Sequence, residues 1–282
     1  MMLKPLPRIM IEPLVRAALL EDLGRAGDIT SDAIVPADAT ATMVLATRQP
    51  GVIAGLDVAA LAFELIDPRT EITVVHADGS ALSGGDVVAT VQGPARALLT
   101  AERTALNFLC HLCGIATQTA AVVEAVRDHK ARIVCTRKTT PGLRALEKYA
   151  VRAGGGANHR FGLDDAVLIK DNHIAIAGDI RTAIERARAG AGHMMKIEVE
   201  VDTLDQLDMA LAANVDAVLL DNMSVGQLTE AVAMVGGRAI TEASGRVTPQ
   251  TARAIAATGV DLISVGWITH SAPILDIGLD CR

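Results

Sequence analysis

From about residue 131 onward the sequence alternates short apolar segments with amphipathic ones, and this alternation constrains the fold more than any other feature. The apolar segments predict strands, and the apolar spacing between them predicts helices. The strands are expected at 132–136, 166–170, 195–201, 217–221, 239–243 and 262–266, and the helices at 142–152, 180–189, 204–212, 225–235 and 249–256. Strands that alternate with helices in this way form a parallel sheet.

Six such strand–helix units can form either a doubly wound sheet or a barrel. A dinucleotide-binding, doubly wound sheet carries a G-x-G-x-x-G turn after its first strand, and no such turn follows residues 132–136. The sequence therefore favours a barrel. The triplet Gly154, Gly155 and Gly156 follows a predicted helix instead, where it fits either a flexible helix end or a loop that approaches a ligand.

The first part of the chain has a different pattern, which predicts a small α+β domain of about 110 residues. Strands are expected at 41–47, 52–54, 71–76 and 87–92, and helices at 13–23 and 56–66. A long helix is expected at 95–112, followed by a second helix at 115–129 after a break at Gly114.

Composition excludes several classes of partner. The chain of 282 residues is half hydrophobic, but it contains only three Phe, one Trp and one Tyr. It therefore lacks the aromatic platforms on which single-stranded nucleic acids stack. The formal charge of −7 also argues against binding to DNA or to a membrane surface. No long uncharged apolar stretch or secretory signal is present, so we expect a soluble, cytoplasmic protein.

The charge is distributed unevenly along the chain. Between Arg132 and Asp171 there are eight Lys or Arg residues against four acidic residues. A basic segment inside an acidic protein predicts a local site for anions.

Four cysteines are present, at positions 110, 113, 135 and 281. Cys110 and Cys113 are the only closely spaced pair, and no second pair completes a structural zinc site. The pair lies in an apolar helical stretch. We therefore expect two buried thiols in preference to a redox dithiol.

The ends of the predicted strands carry the residues that can perform chemistry, because the active site of a parallel barrel forms at the carboxyl ends of its strands. In one strand, Lys196, Glu198 and Glu200 alternate with apolar residues, which places the three charges on one face that points into the barrel. Buried charges need partners, so we expect Lys196 to neutralise one glutamate. Glu200, nearest the strand end, is expected to be the freest to serve a ligand or a metal.

Long motifs give the chain a resemblance to a known family. The run TRKTTPGLRALEKYAVRAGGGANHRFGLDDAVLIKDNHI from Thr136 resembles the quinolinate phosphoribosyltransferases. So do ERTALNFL from Glu102, KIEVEVD from Lys196, VLLDNMS from Val218, EASG from Glu242 and GWITHSAPILDIGLD from Gly266. The resemblance extends from Gly27 to the C-terminus.

The resemblance implies an α/β fold with an N-terminal α/β sandwich domain followed by an incomplete α/β, TIM-like barrel. We expect the sandwich domain at 1–112, the catalytic barrel at 113–270 and a tail at 271–282 that packs back on the sandwich. A homodimer with shared active sites is also implied, and a higher oligomer stays open. The implied reaction joins quinolinate to phosphoribosyl pyrophosphate, releasing pyrophosphate and CO₂ and forming nicotinate mononucleotide for NAD biosynthesis.

The family's functional residues can be carried over to matching positions. The resemblance implies that Lys138, Glu200 and Asp221 are catalytic, with Glu200 and Asp221 facing the ribose and the Mg²⁺ that accompanies the pyrophosphate. No tightly bound organic cofactor is implied. The remaining substrate-binding residues implied are Arg103 from the partner subunit, Thr136, Arg137, His159, Arg160 and Lys170, with Ser244, Gly245, Arg246, Val265, Gly266 and Trp267 around the 5′-phosphate.

Three other functions remain open from the sequence. A paralogous phosphoribosyltransferase of the molybdenum-utilisation type would use another acceptor, although the complete TRK, NHR and KDNH motifs favour quinolinate. A phosphate-binding barrel lyase or isomerase would not need Arg103 or the TRK motif. A non-catalytic anion-binding module would not need Glu200 and Asp221, which repel anions unless a cation is present.

Overall fold

The computed structural model describes residues 3–281, and its backbone contacts divide the chain into two compact units. The first unit runs to Ala120 and also includes Thr139–Gly155 and the chain from Ile268 onward. The second unit consists of Ala121–Lys138 and Gly156–Trp267. The chain therefore crosses between the units more than once.

The first unit is built on a four-stranded antiparallel sheet with helices. Its elements are α1 (Arg8–Leu23), α2 (Ile29–Ile34), β1 (Thr40–Thr47), β2 (Gly51–Val52), α3 (Leu56–Ile66), β3 (Glu71–Val74), β4 (Ala81–Leu82), β5 (Val87–Pro94), most of α4 (Ala95–Val126), and α5 (Arg144–Ala153). The sheet order is β12-β1-β5-β3, where β12 is Ile277–Cys281. The C-terminal strand thus pairs with the first strand of the chain, with Leu279 opposite Leu45.

Helix α4 continues through Gly114, so the predicted break at this residue is wrong. A Cβ atom on Gly114 would collide with the carbonyl oxygen of Pro273 and would lie 3.0 Å from the Cα of Ile274. The glycine is required for close packing against the C-terminal segment and does not end the helix. By length and composition α4 could cross a membrane, but 56% of its most apolar window is buried inside the protein, as in a core helix.

The cysteines of α4 are both buried and free, as predicted. The Cys113 sulfur lies 3.2 Å from the backbone nitrogen of Ala54, and burial raises its pKa. Burial also raises the pKa of Cys110. A thiol that is buried and protonated packs as a small apolar group and is a poor nucleophile.

The second unit is a six-stranded parallel sheet, and its order identifies it as an incomplete barrel. Its strands are β6 (Arg132–Val134), β7 (Val167–Ile169), β8 (Ile197–Val201), β9 (Ala217–Asp221), β10 (Ile240–Ser244) and β11 (Leu262–Ser264), in the order β6-β11-β10-β9-β8-β7. The last strand therefore pairs with the first, as it must when a sheet curls round on itself. Among the described residues β6 and β7 do not pair, which leaves the barrel open at that point.

Helices follow the barrel strands, and four of them begin at side-chain caps. They are α6 (Asp171–Ala177), α7 (Ile180–Gly190), α8 (Leu204–Ala212), α9 (Val225–Val235) and α10 (Pro249–Ala257), and the short α11 (Trp267–His270) begins at the end of the unit. Asp179, Thr203, Ser224 and Thr248 each accept a hydrogen bond from the backbone N–H three residues later. Such caps satisfy the first free N–H groups of a helix, and they fix where each strand-end loop must finish.

Candidate active site

The carboxyl ends of β9 and β10 are joined by a pair of predicted site residues. Asp221 and Ser244 lie opposite each other in the strand register, and the Ser244 hydroxyl donates a hydrogen bond to Oδ1 of Asp221. Asn222, next in the chain, donates from its side chain to the other carboxylate oxygen. The carboxylate is thus held in one orientation at the mouth of the barrel.

The loops beyond these two strands have an unusual backbone. Asn222 has φ 52°, Gly245 has φ 108° and Arg246 has φ 46°. These positive φ values lie in a backbone region that residues other than glycine rarely adopt. A Cβ atom on Gly245 would collide with the side-chain oxygen of Asn222. Backbone strain of this kind is concentrated at functional sites, and the loop with Gly245 and Arg246 is one that the family resemblance assigns to the 5′-phosphate.

Lys170 and Glu200 form an ion pair at the ends of β7 and β8. The Lys170 ammonium lies 2.7 Å from Oε2 of Glu200, whose side chain is 14% exposed. The backbone N–H of Lys170 also donates to Nδ1 of His173 in the first turn of α6, which fixes the start of that helix. Glu200 therefore has a cationic partner within the chain, and its expected role toward a ligand or a metal remains a prediction.

The expected role of Lys196 is wrong. Lys196 precedes β8, its side chain is 72% exposed, and its ammonium pairs with Asp216 at 2.7 Å. It therefore lies at the amino end of the strand, opposite the end that carries Glu200. Period-two alternation placed the three charges on one face but could not show that the strand begins at Ile197.

Arg160 provides the clearest sign of an anion site. Its Nη1 donates to the carbonyl of Ala166 at 2.9 Å, whereas its buried Nε has no hydrogen-bond partner among the described residues. Burial and the nearby charge of Arg137 lower the pKa of the guanidinium. Two guanidinium groups held near each other in a partly buried place are stabilised by a bound carboxylate or phosphate, which suits their planar fork of donors.

His159 lies behind Arg160 and contacts two glutamates of the barrel interior. Its Nε2 is 2.9 Å from Oε2 of Glu198 and 3.7 Å from Oε1 of Glu242. Glu242 is 1% exposed. Burial, reinforced by the charge of Glu198, raises the pKa of Glu242 to about 7. The sequence patterns placed Glu198 on the inward face of its strand but gave Glu242 no role, although a glutamate inside the predicted strand 239–243 is a signal that could have identified it.

Several of the remaining predicted residues lie just beyond the ends of the strands β6 and β11. The backbone N–H of Cys135 donates to the Ala157 carbonyl, which joins the end of β6 to the loop that carries His159. The hydroxyl of Thr136 accepts from the backbone N–H of Lys138. Val265 donates from its backbone to Val134, next to Gly266. The Trp267 indole donates to the carbonyl of Val247 at 2.7 Å, in the loop that begins with Gly245 and Arg246.

Arg103 belongs to the first unit, unlike the other predicted site residues. It lies on α4, its side chain is 65% exposed, and its guanidinium is 3.9 Å from Glu102. The predicted role of Arg103 in a shared site remains a prediction.

Two carboxylates suit a magnesium ion that arrives with its substrate. Mg²⁺ prefers oxygen ligands and is commonly held by one or two carboxylates together with substrate phosphates and water. Glu200 and Asp221 offer such oxygens at the ends of the adjacent strands β8 and β9. Glu200 is already bonded to Lys170, and Asp221 to Ser244 and Asn222. The two carboxylates therefore suit an ion that keeps much of its water and do not suit one that is coordinated by protein atoms alone.

An incomplete barrel with paired guanidinium groups and oriented carboxylates at its strand ends defines an enzyme that acts on anionic substrates. Models of the quinolinate phosphoribosyl transferase N-terminal and C-terminal domains match residues 28–113 and 115–280. The chain belongs to the quinolinate phosphoribosyltransferase family. The predictions of family, fold class and transferase class are thereby confirmed.

Individual relatives resemble this chain over almost their whole length. The nicotinate-nucleotide pyrophosphorylase [carboxylating] of Mycobacterium leprae is 51% identical over 271 residues, covering 94% of this chain and 95% of the relative. The probable enzyme of the same name from Bacillus subtilis is 43% identical, with 96% and 93% covered. The NadC crystal structure from Streptococcus pyogenes superimposes with a TM-score of 0.94 at 43% identity, covering 99% of each chain. The structure of the nicotinate-nucleotide pyrophosphorylase from Francisella tularensis superimposes with a TM-score of 0.95 at 39% sequence identity, covering 100% of this chain and 99% of that one.

Proposed function

We propose that this chain transfers the phosphoribosyl group of phosphoribosyl pyrophosphate to quinolinate, releasing pyrophosphate and CO₂ and forming nicotinate mononucleotide. The observation that carries this proposal is the partly buried guanidinium of Arg160, which lies near the charge of Arg137. The Nε of Arg160 has no hydrogen-bond partner among the described residues. A site with this excess of positive charge suits an acceptor with two adjacent carboxylates. Membership of the family, together with the names of the relatives, supports the same reaction.

Arg137 and Arg160 hold the two carboxylates of quinolinate and orient the ring nitrogen toward the ribose. Each guanidinium can bind a carboxylate through two parallel N–H donors, which fixes orientation as well as affinity. Lys138 adds a third positive charge in the same TRK segment. Orientation matters because holding both reactants in a reactive geometry removes much of the entropic barrier.

Glu200 and Asp221 act on the ribosyl group. When the bond between the anomeric carbon and pyrophosphate breaks, positive charge develops on the ribose, and fixed carboxylates stabilise that charge. The contacts from Lys170 to Glu200 and from Ser244 to Asp221 keep both groups oriented before the reaction. The same two carboxylates would hold Mg²⁺, which would supply positive charge near the pyrophosphate group.

Decarboxylation follows transfer because it needs a cationic ring. Once the ring nitrogen is ribosylated, the electron pair of the breaking bond between C2 and the carboxylate carbon is stabilised by the adjacent positive nitrogen. CO₂ leaves and a proton takes its place at C2. The strained loops at Asn222 and at Gly245–Arg246, together with Val265, Gly266 and Trp267, form the site for the 5′-phosphate.

The assembly and the location of the enzyme are part of this proposal. The active form is a homodimer in which Arg103 of one subunit completes the site of its partner, and the enzyme works in the cytoplasm. The exposed guanidinium of Arg103, paired only loosely with Glu102, supports a role toward another molecule.

The proposal is tested by incubating the purified protein with quinolinate, phosphoribosyl pyrophosphate and Mg²⁺ and separating the products by chromatography. Nicotinate mononucleotide should form and should be absent when any one component is omitted. If quinolinate is not consumed although the protein binds phosphoribosyl pyrophosphate, the acceptor is wrong. The molybdenum-type paralogue would then become the preferred interpretation.

A further inference from the structure

Both ring nitrogens of His159 make hydrogen bonds within the chain. The backbone N–H of Arg160 donates to Nδ1 at 2.8 Å, and Nε2 lies 2.9 Å from Oε2 of Glu198. A nitrogen that accepts a hydrogen bond carries no proton in the neutral ring. The hydrogen-bond network therefore assigns the ring proton to Nε2, which donates it to Glu198.

Glu242 completes this group from a second strand. It lies on β10, whereas Glu198 lies on β8, and its buried Oε1 has no hydrogen-bond partner among the described residues. Two carboxylates near each other in a buried place do not both ionise at little cost. The Nε2 atom of His159 is 2.9 Å from Glu198 and 3.7 Å from Glu242, so Glu198 accepts the hydrogen bond of the imidazole N–H and Glu242 packs beside it.

A cation site is the obvious alternative use of these three residues. The candidate ligand atoms of His159, Glu198 and Glu242 all lie within 4.8 Å of one another. To bind a metal through Nε2, however, the neutral ring would have to carry its proton on Nδ1. That proton would then point at the N–H of Arg160, which already donates to Nδ1. The arrangement suits a ring held by hydrogen bonds and does not suit a metal ligand.

We propose that Glu198 and Glu242 are positioning residues that fix the ring of His159 and, through its Nδ1, the backbone of Arg160. This inference rests on the proposed function, because Arg160 is the residue assigned to the anionic acceptor. His159 then acts mainly through Arg160. The Arg160 side chain is anchored through Nη1 to the Ala166 carbonyl, so its guanidinium is held at both its backbone and its tip.

The proposal predicts that variants of the two glutamates affect the Michaelis constant for quinolinate more than the turnover number. Glu198→Leu removes the acceptor for the imidazole N–H, so the Michaelis constant for quinolinate should rise roughly tenfold or more, as expected when a binding group is slightly misplaced. The turnover number should fall less than the Michaelis constant rises. Glu242→Leu should act in the same direction. Glu198→Gln and Glu242→Gln should each restore most of the loss, because an amide oxygen still accepts and a neutral amide resembles protonated Glu242.

The matched control is Thr241→Val on the same strand as Glu242. Thr241 is buried, and its hydroxyl donates to Asp261. The variant disturbs β10 without touching the His159 group. Circular dichroism identifies variants that fail to fold, and the Gln variants keep the test decisive where a Leu variant does not fold.

A second readout does not depend on turnover. Nitrogen NMR of protein with labelled histidine, assigned by comparison with His159→Gln, reports which ring nitrogen carries the proton. The expected result is a proton on Nε2 of His159, with this signal altered in Glu198→Leu. A proton on Nδ1 in the unaltered protein, or an unchanged Michaelis constant in folded Glu198→Leu, would overturn the proposal. If the unaltered protein does not use quinolinate, the proposed function fails, and the NMR spectra alone decide the positioning role.

Discussion

The ammonium of Lys170 lies 2.7 Å from a carboxylate oxygen of Glu200 and links the ends of two neighbouring barrel strands. Lys170 is the N-terminal flanking residue of α6, and Glu200 is the last inward-facing residue of β8. The pair therefore places the positive charge of Lys170, proposed to bind the substrate, beside the negative charge of Glu200, proposed to face the ribose. Neither charge is free, because each is oriented by the other.

Lys170→Ala should reduce kcat/KM roughly 10²-fold or more, because it removes one fixed cation from the site and releases Glu200. The matched control is Lys196→Ala, which breaks a lysine–carboxylate pair of equal length at the other end of β8. The control should stay within about twofold of the unaltered enzyme. Steady-state kinetics with quinolinate measure both variants. Equal losses in the two variants would show that the Lys170 effect is a general loss of stability.

Nicotinate should be a very poor acceptor compared with quinolinate. It lacks the C2 carboxylate, so the guanidinium groups of Arg137 and Arg160 would be left without one of their anionic partners. Sites built to bind a polar group reject analogues that lack it by factors on the order of 10³ or more. Competition between the two acids for phosphoribosyl pyrophosphate measures the ratio directly, and comparable use of both would contradict the assigned pocket.

Glu242 should make the folded state less stable as pH rises. Its pKa in the folded protein is about 7, above the ordinary value of 4.5. Between these values the folded state keeps a proton that the unfolded chain has lost, so the free energy of unfolding falls by up to roughly 1.4 kcal/mol per pH unit. Glu242→Gln cannot titrate and should gain stability relative to the unaltered protein between pH 5 and pH 7.5.

Denaturant unfolding at the two pH values measures this gain, with Glu230→Gln as the control. Glu230 is an exposed residue of α9, so its variant should follow the unaltered protein at both pH values. A difference between Glu242→Gln and the unaltered protein that does not change with pH would mean that Glu242 is ionised in the fold throughout.

Much of the fold could be predicted from the sequence because its signals are local. Strand and helix periods located the six barrel strands, and the missing dinucleotide turn favoured a barrel. The pairing of β11 with β6 joins segments that are far apart in the sequence, so it cannot be predicted from the local spacing of apolar residues. Gly114 was misinterpreted for the same reason, since its requirement comes from Pro273, far along the chain.

The site was predictable in kind but not in its pairings. Charged residues at strand ends identified Lys170, Glu200 and Asp221 as candidates, and the resemblance to the family added Arg160. Which cation meets which anion depends on where each strand starts and on its register. Lys196 was therefore assigned to the wrong partner, and the orientation of His159 by Glu198 and Glu242 could not be seen before β8 and β10 were placed in one barrel.

The shared-site prediction can be tested by mixing two inactive variants. Arg103→Ala should be folded, dimeric and nearly inactive, and so should Lys138→Ala. If Arg103 acts in the partner's site, a mixed dimer contains one site with both defects and one intact site. Activity should then return toward half of that of the unaltered enzyme in the hybrid itself. Heterodimers that form, as judged by differently tagged subunits, and yet remain inactive would place Arg103 in its own subunit's site or in none.

The central claim is that decarboxylation is coupled to phosphoribosyl transfer at the site formed by Arg137 and Arg160. Quinolinate labelled at the C2 carboxylate tests this most directly, by comparing labelled CO₂ with nicotinate mononucleotide in the same reaction. Labelled CO₂ should appear only when phosphoribosyl pyrophosphate is present, in a one-to-one ratio with the nucleotide, and Arg160→Ala should lose both products together. Release of labelled CO₂ without phosphoribosyl pyrophosphate, or nucleotide formed with the label retained, would contradict the account.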